Sequence, residues 1–143
     1  MVIFTDGACE PKNPGGVPTY GFVIYRYGTK LAEDSGLAAV PYSKDATNNV
    51  AEYVGLTKAL ERVLSLGLQE YEIEVKSDSR LLVNQIRGKY AVKSRRLRPY
   101  HNKLRELLSN FTKIDFHWVP REENAEADLL SKDEYQSYIA GRT

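Results

Sequence analysis

The sequence predicts an α/β domain: one mixed sheet of five strands with helices on its faces. Three observations predict it. The elements read, in order, as three strands, a helix, a strand, helices, a strand and a helix. Apolar residues recur at Leu56, Ala59, Leu60, Val63 and Leu66, the stripe of one buried helical face. Tyr71 to Ser77 alternates instead, with Tyr71, Ile73, Val75 and Ser77 on one side and Glu72, Glu74 and Lys76 on the other, as a half-buried strand does. That strand follows a helix after an antiparallel meander, so it pairs parallel to the first.

Taken in order, Val2 to Thr5 is a short strand ended by Asp6-Gly7. Residues 11–16, Pro-Lys-Asn-Pro-Gly-Gly, form a rigid loop. Tyr20 to Tyr27 is aromatic and β-branched, a second strand. Gly28-Thr29 is a tight turn, and Lys30 to Val40 returns as a third strand. Pro41 to Ala46 leads into the long helix, which ends at Leu66-Gly67-Leu68 with Gly67 as a left-handed cap. After the alternating strand, Ser79 caps a short helix carrying Leu82, Val83 and Ile86. Gly88 ends it. Pro99 begins a helix carrying Leu104, Leu107 and Leu108. Ile114, Phe116 and Trp118 alternate as the last strand. Val119 to Glu123 is a loop, and Asn124 to Ile139 is the terminal helix.

The 143 residues suit a single domain, 1–143, with a sizeable core. Hydrophobic residues at 42% and charged residues at 27% exclude a disordered chain. No apolar run approaches the length of a membrane span and no signal peptide opens the chain, so no membrane partner is expected. Cys9 is alone, which excludes an internal disulfide and a Cys/His zinc set. The expectation is a cytoplasmic monomer. Met1 stands at the first strand with no linker, which favours a free-standing domain over a fragment of a larger polymerase.

Charge is unevenly placed. Arg87 to Arg105 holds Arg87, Lys89, Lys93, Arg95, Arg96, Arg98, Lys103 and Arg105 without one acid. Asp115 to Glu134 holds seven acids. A basic tract beside clustered carboxylates reads as a polyanion handle next to a cation site, or as ordinary solvated helix faces.

Four acids stand at element ends. At about 100° per residue, Glu52 lies within about 40° of Leu56, Ala59 and Val63, on the buried face of the long helix. A lone charge there is costly. Its plainer reading is a capping box with Asn49. Asp6 is a turn residue or a ligand, and Asp78 an N-cap or a ligand. Strict alternation would put Asp78 on the face of Glu72 and Glu74, unless alternation lapses at the strand's last residue. Asp128 lies one turn into an acidic helix. If strands one and four are parallel neighbours, Asp6 and Asp78 end side by side, where open α/β sheets place ligands. Carboxylates ~4 Å apart repel by around 4 kcal/mol per pair at an effective dielectric near 20. Such a cluster needs protons or a metal, and hard oxygen ligands favour Mg2+ or Mn2+ over zinc.

At this point the residues resemble type 1 ribonuclease H, over nearly the whole chain. The resemblance rests on Thr5-Asp6-Gly7-Ala8-Cys9 and Asn13-Pro14-Gly15-Gly16. It continues through Thr47-Asn48-Asn49-Val50-Ala51-Glu52, Ser77-Asp78-Ser79 and Asn124-Ala125-Glu126-Ala127-Asp128. It implies the ribonuclease H-like fold, with strands 1–3 antiparallel and strands 4 and 5 parallel to strand 1. It implies an endonuclease that hydrolyses the RNA strand of an RNA–DNA hybrid, leaving 5′-phosphate and 3′-hydroxyl ends. Asp6, Glu52, Asp78 and Asp128 match the acids that hold two divalent ions. Cys9, Asn13, Gly15, Asn48 and Asn49 match groups that sense the 2′-hydroxyls of RNA. Thr47 and Asn13 match a pocket for a phosphate of the DNA strand, and Arg80 matches a polar substrate contact. A 2′-hydroxyl both donates and accepts, so amides and close backbone distinguish RNA from DNA. Cations of the 87–105 tract, with His101, Tyr90 and Tyr100 beside them, would hold phosphates without reading sequence.

The chain departs from the family in one place. Many members carry a histidine in a glycine-rich loop before the last Asp. Here residues 119–124 contain none, and Arg121 is the candidate substitute, contacting phosphate or leaving group. A guanidinium does not lose its proton in proteins, so Arg121 is no general base. Proofreading exonucleases of related fold carry Asp-x-Glu on strand one, and Asp6-Gly7-Ala8 does not match. A non-catalytic nucleic-acid module is the reading from another class.

Overall fold

A computed structural model describes residues 1–141. Strands β1 (Val2–Glu10), β2 (Val17–Arg26) and β3 (Thr29–Leu37) form the meander, followed by helix α1 (Asn48–Ser65). Strand β4 (Glu72–Ser77), helices α2 (Arg80–Ile86) and α3 (Arg98–Leu108), strand β5 (Lys113–Trp118) and helix α4 (Ala125–Ile139) complete the order. The sheet runs β3-β2-β1-β4-β5. The first three strands are antiparallel, and β4 pairs parallel to β1 and β5 parallel to β4. Among the described residues no helix is long and apolar enough to cross a membrane.

Several boundaries differ from the sequence reading, each for a local reason. β1 does not stop at Thr5. Its parallel partner does: the β1–β4 ladder ends at Thr5↔Ser77, while pairing with β2 continues to Glu10↔Val17. Asp6 is therefore the first residue of β1 that has outrun β4. The hairpin turn is Tyr27-Gly28 rather than Gly28-Thr29, with φ of 49° and 77°. A two-residue hairpin loop with both central φ values positive is type I′, whose twist matches that of the strands. β3 ends at Leu37, because Ala38 and Tyr42 turn their amides back to Pro18 and Gly16. Thr47, and not Asn49, caps α1: its side chain accepts from the Val50 amide. No capping box forms, which frees Glu52. At the far end Gly67 (φ 71°) donates to the Leu64 carbonyl and Leu68 to that of Val63, the Schellman pattern expected of it.

The core lies between the sheet and α1, α2 and α3. Ile3, Phe22, Ile24, Ile73 and Val75 meet Val50, Tyr53, Leu56, Leu60 and Val63, all essentially inaccessible. α4 covers the other face. Two glycines set these distances. A Cβ on Gly7 would lie 2.4 Å from the Ala51 carbonyl carbon and the Glu52 nitrogen, and one on Gly21 would lie 2.6 Å from the Ala127 oxygen. Glycine thus lets the first turns of α1 and α4 rest directly on neighbouring strands.

Gly7→Ala forces backbone apart, since no flexible side chain is there to yield. It is expected to cost about 3 kcal/mol in urea unfolding, the upper end of overpacking penalties. An unchanged unfolding midpoint would show that the approach is not tight.

Candidate active site

The site forms where β1 outruns β4. Asp6, on β1, is 5% exposed. It pairs with Gly21, so its side chain shares the α4 face of the sheet. Glu52, 8% exposed, arrives from the first turns of α1 on the opposite face. Asp78 follows the last residue of β4, so alternation has already ended. Ser79 caps α2 through Leu82, and its own amide donates to Ser77 Oγ. The Asp78 carboxylate is thereby left out of the cap. One oxygen from each of Asp6, Glu52 and Asp78 lies within 4.8 Å of the others. Asp128 reaches the Asp6 carboxyl from α4 by a hydrogen bond.

These acids perturb one another strongly. Burial first, then the Asp78 charge and the hydrogen bond to Asp128, push Asp6 from the ordinary 3.8 up to about 8. Burial, then Asp6 and Asp78, push Glu52 well above the usual carboxylate range. Burial also acts upward on Asp128, but hydrogen bonds from Lys132 and Asp6 outweigh it and hold that carboxyl low. In the protein alone, Asp6 therefore keeps its proton and donates it to Asp128. Glu52 Oε2 is buried and has no hydrogen-bond partner among the described residues. An unpartnered carboxylate oxygen inside an all-oxygen donor set fits a hard divalent cation.

The acids line a groove of about 910 Å³, with Asn13, Asn48, Asn49, Arg80 and Arg121 also on its walls. Asn13 and Asn48 are locked reciprocally. Asn13 Nδ2 donates to Asn48 Oδ1 at 2.8 Å, and the Asn48 amide donates to Asn13 Oδ1 at 3.0 Å. Cys9 is buried, its thiol donating to the Ala46 carbonyl at 3.2 Å, and burial pushes that thiol upward. Arg121 opens a single 3-10 turn, Arg121–Glu123, with Nε 4.0 Å from Asp78 Oδ2.

A family description of reverse transcriptase-like proteins matches residues 31–134. Ribonuclease HI of Halobacterium salinarum is 38% identical over 130 residues, 91% of this chain and 61% of that protein. LC11-RNase H1, from a compost metagenome and solved in complex with an RNA/DNA hybrid, has a TM-score of 0.86 at 33% identity, covering 96% of this chain and 98% of that one. The chain belongs to the ribonuclease H family. The bifunctional protein Rv2228c of Mycobacterium tuberculosis is 38% identical over 135 residues, 93% of this chain and 35% of that protein. Its N-terminal RNase H domain has a TM-score of 0.85 at 33% identity, covering 99% of this chain and 97% of that one. The chain spans about a third of the length of the mycobacterial relatives and about three fifths of the halobacterial one.

Within this ribonuclease H fold, four of the residues singled out as substrate contacts make contacts within the protein. Gly15 does not line the groove, and its amide is engaged by the Ala46 carbonyl at 2.8 Å. Thr47 is also off the groove wall, and its hydroxyl accepts from the Val50 amide to cap α1. His101 packs edge-on against Tyr53, with ring centroids 6.1 Å apart, rather than facing phosphate. Tyr100 donates to Asp45 Oδ2 at 2.6 Å, and its half-buried ring packs against the core. Other residues matter more than the sequence reading allowed. Asn124 is buried, and its Nδ2 donates to the Thr5 carbonyl at 2.8 Å, tying the start of α4 to the residue before Asp6. Thr19 and Ser131 share a buried hydrogen bond at 2.8 Å, one turn beyond Asp128. Lys132 reaches Asp128 Oδ2 at 2.9 Å. Thr19 and Ser131 had no sequence signal, whereas Asn124 stood in the motif that ends at Asp128 and Lys132 had the i, i+4 spacing from it.

Unfolded Asp6 loses its proton near 3.8, and folded Asp6 holds it to about 8. Between those values the native state binds more protons, so stability falls as pH rises. Metal-free wild type is expected to lose stability over that interval relative to Asp6→Asn, which has no such proton to lose. Parallel pH profiles of urea unfolding for the two proteins would refute this. Asp78→Asn is expected to leave the metal-free melting temperature unchanged or raised, because it removes a repelling charge that supports no cap. A clear fall in melting temperature would make Asp78 structural.

Proposed function

We propose that this chain is an endoribonuclease that hydrolyses the RNA strand of RNA–DNA hybrids, leaving 5′-phosphate and 3′-hydroxyl ends. The observation that carries the reading is the convergence of Asp6, Glu52 and Asp78 within 4.8 Å at the floor of an open groove. A fold gains nothing from gathering buried acids unless a cation or a reaction uses them. Asp6, Glu52, Asp78 and Asp128 would hold two Mg2+ or Mn2+ ions. Bound there, such ions supply Lewis-acid stabilisation of a phosphodiester and a more acidic water.

The chain's own groups do the rest. The four acids fix where the scissile phosphate sits. Asn13, Asn48 and Asn49, with the backbone near Cys9, offer amides at the groove wall that suit a hydroxyl able both to donate and to accept. Arg121, 80% exposed and next to Asp78, is free to swing onto a phosphate or the leaving oxygen. Arg87, Lys89, Lys93, Arg95 and Lys103 are exposed and make no ion pair among the described residues. Arg96 differs: it pairs with Asp45 at 3.4 Å and, with Tyr100, moors the tract to the loop before α1. The free cations suit a duplex held by its phosphates. We take a monomer as the working unit, to be checked by the mass of the protein in solution. The single unpaired thiol suits a reducing, cytoplasmic compartment.

Cleavage of an end-labelled RNA–DNA hybrid in magnesium, manganese and EDTA tests the reading. Internal RNA cuts are expected with either metal and absent in EDTA, and Asp78→Asn should abolish them. Folded protein that binds hybrid and leaves the RNA intact in every lane would make this a binding module. Replacing Lys89, Lys93 and Arg95 with alanine is expected to weaken hybrid binding and to flatten its salt dependence by roughly 0.7–0.9 in log–log slope for each phosphate no longer neutralised. An unaltered slope would place the grip elsewhere.

A further inference from the structure

Trp118 is the sole tryptophan of the chain, and the proposed reaction does not use it. It ends β5 and stands on the groove wall, 40% exposed. Its ring is nevertheless fixed, because Nε1 donates to the backbone carbonyl of Asp78 at 3.1 Å. Arg80, two residues beyond Asp78 at the start of α2, lays its guanidinium carbon 4.1 Å from the indole centroid. A guanidinium bound by its face keeps its in-plane N–H donors free. Among the described residues Arg80 joins no salt bridge, whereas Arg121, on the other side of Trp118 in sequence, pairs with Asp78. The unused edge of Arg80 is therefore held at the groove wall, beside the turn that carries Asp78.

We propose that Trp118 is a positioning residue that holds Arg80 as a preformed receptor for a phosphate of the strand passing Asp78. The proposal rests on the hybrid-cleaving reading. Without the ring, Arg80 samples many rotamers and must be ordered by each substrate. The stack removes that cost before binding, so its effect falls on substrate grip rather than on the chemical step.

A double-mutant cycle tests it, with Trp118→Leu, Arg80→Ala and the two combined, each checked for folding by circular dichroism. Trp118→Leu is expected to raise the hybrid KM by about twofold to fivefold, the range of an exposed cation–π contact, with kcat changed less. The combined variant should be no worse than Arg80→Ala alone. Trp118→Phe keeps an aromatic face and should recover most of the loss; it also carries the cycle should Trp118→Leu fail to fold. In the protein without substrate, Arg80→Ala should shift the emission of the one tryptophan. Unmoved emission would mean that no stack forms in solution and would overturn the proposal whatever the enzyme cleaves. Additive KM effects, or an unchanged KM in Trp118→Leu beside active wild type, would overturn it while leaving the hybrid reading intact. A wild-type protein that neither cuts nor binds hybrid would overturn both.

Discussion

Mutual repulsion among Asp6, Glu52 and Asp78 is the constraint on which the rest of the structure depends. Three carboxylates within 4.8 Å, two of them buried, oppose folding in their ionised form. The site exists because apolar packing elsewhere outweighs them. Tyr53, Leu56, Leu60 and Val63 of α1 bury completely against Ile3, Phe22 and Ile73, and that contact holds the first turns of the helix in place. Glu52 sits at the end of that packed face and is carried into the cluster by it. Burial then converts electrostatic strain into proton affinity, and the same affinity fits the cluster to trap a cation. Protons and a bound metal would compete for one set of oxygens.

The sheet topology explains why these particular acids meet. A parallel partner that stopped later would cover Asp6 with another strand. β4 instead ends at Ser77, and β1 continues alone on that side. The vacated position is open to both faces at once, so a helix from each can deliver an acid. Gly7 and Gly21 remove the atoms that would hold those helices off, and Asn124 binds the start of α4 to Thr5. Each device acts within a residue or two of Asp6. Precision at the site thus comes from backbone closeness and buried polar ties, while its chemistry comes from the acids.

Periodicity made most of the fold legible in the sequence. The stripe from Leu56 to Val63 and the alternation from Ile73 to Ser77 reflect burial on one face, and burial is what residue type records; Leu66, expected on the same stripe, lies at the C-cap of α1 and is 46% exposed. The parallel pairing of strand four with strand one followed from the helix between strands three and four, while the direction of strand five came from the family resemblance. The end of β1 was hidden, because Asp6-Gly7 looks like a turn and nothing local says that β2 will keep pairing past it. Capping was misread for a similar reason. Thr47, Asn48 and Asn49 are all good caps, and tertiary contacts chose among them. The convergence of the acids was legible only as a consequence of topology. The roles of Asn124, Thr19 and Ser131 were not, since a buried hydrogen bond across 112 or 119 residues leaves no mark on spacing. Gly15 and Thr47 show the converse limit: the Gly15 amide and the Thr47 hydroxyl also serve the protein's own loop and helix cap, a use that the motif does not announce.

The groove divides into parts of different stiffness, and the division bears on how a duplex is selected. On one wall Asn13 and Asn48 lock each other, and Cys9 ties the strand beneath them to Ala46. Groups held this way cannot adapt, so in the proposed reaction they would reject a strand whose sugar lacks the matching hydroxyl, because the mismatch would leave polar atoms unpaired. The cations of the 87–105 tract lie on exposed side chains and follow any phosphate backbone. Rigid polar groups suit discrimination, and mobile charges suit affinity. Arg121 belongs to the mobile class although it stands beside Asp78. With 80% of its side chain exposed, it is tethered only weakly to Asp78. A permanently charged group there cannot take a proton from water, but it can neutralise charge that builds on a departing oxygen and then release it. In place of the family's titratable histidine, this chain thus offers a group whose contribution would not depend on pH near neutrality. Any pH dependence of the proposed reaction would then have to arise from the carboxylate cluster and from what it binds.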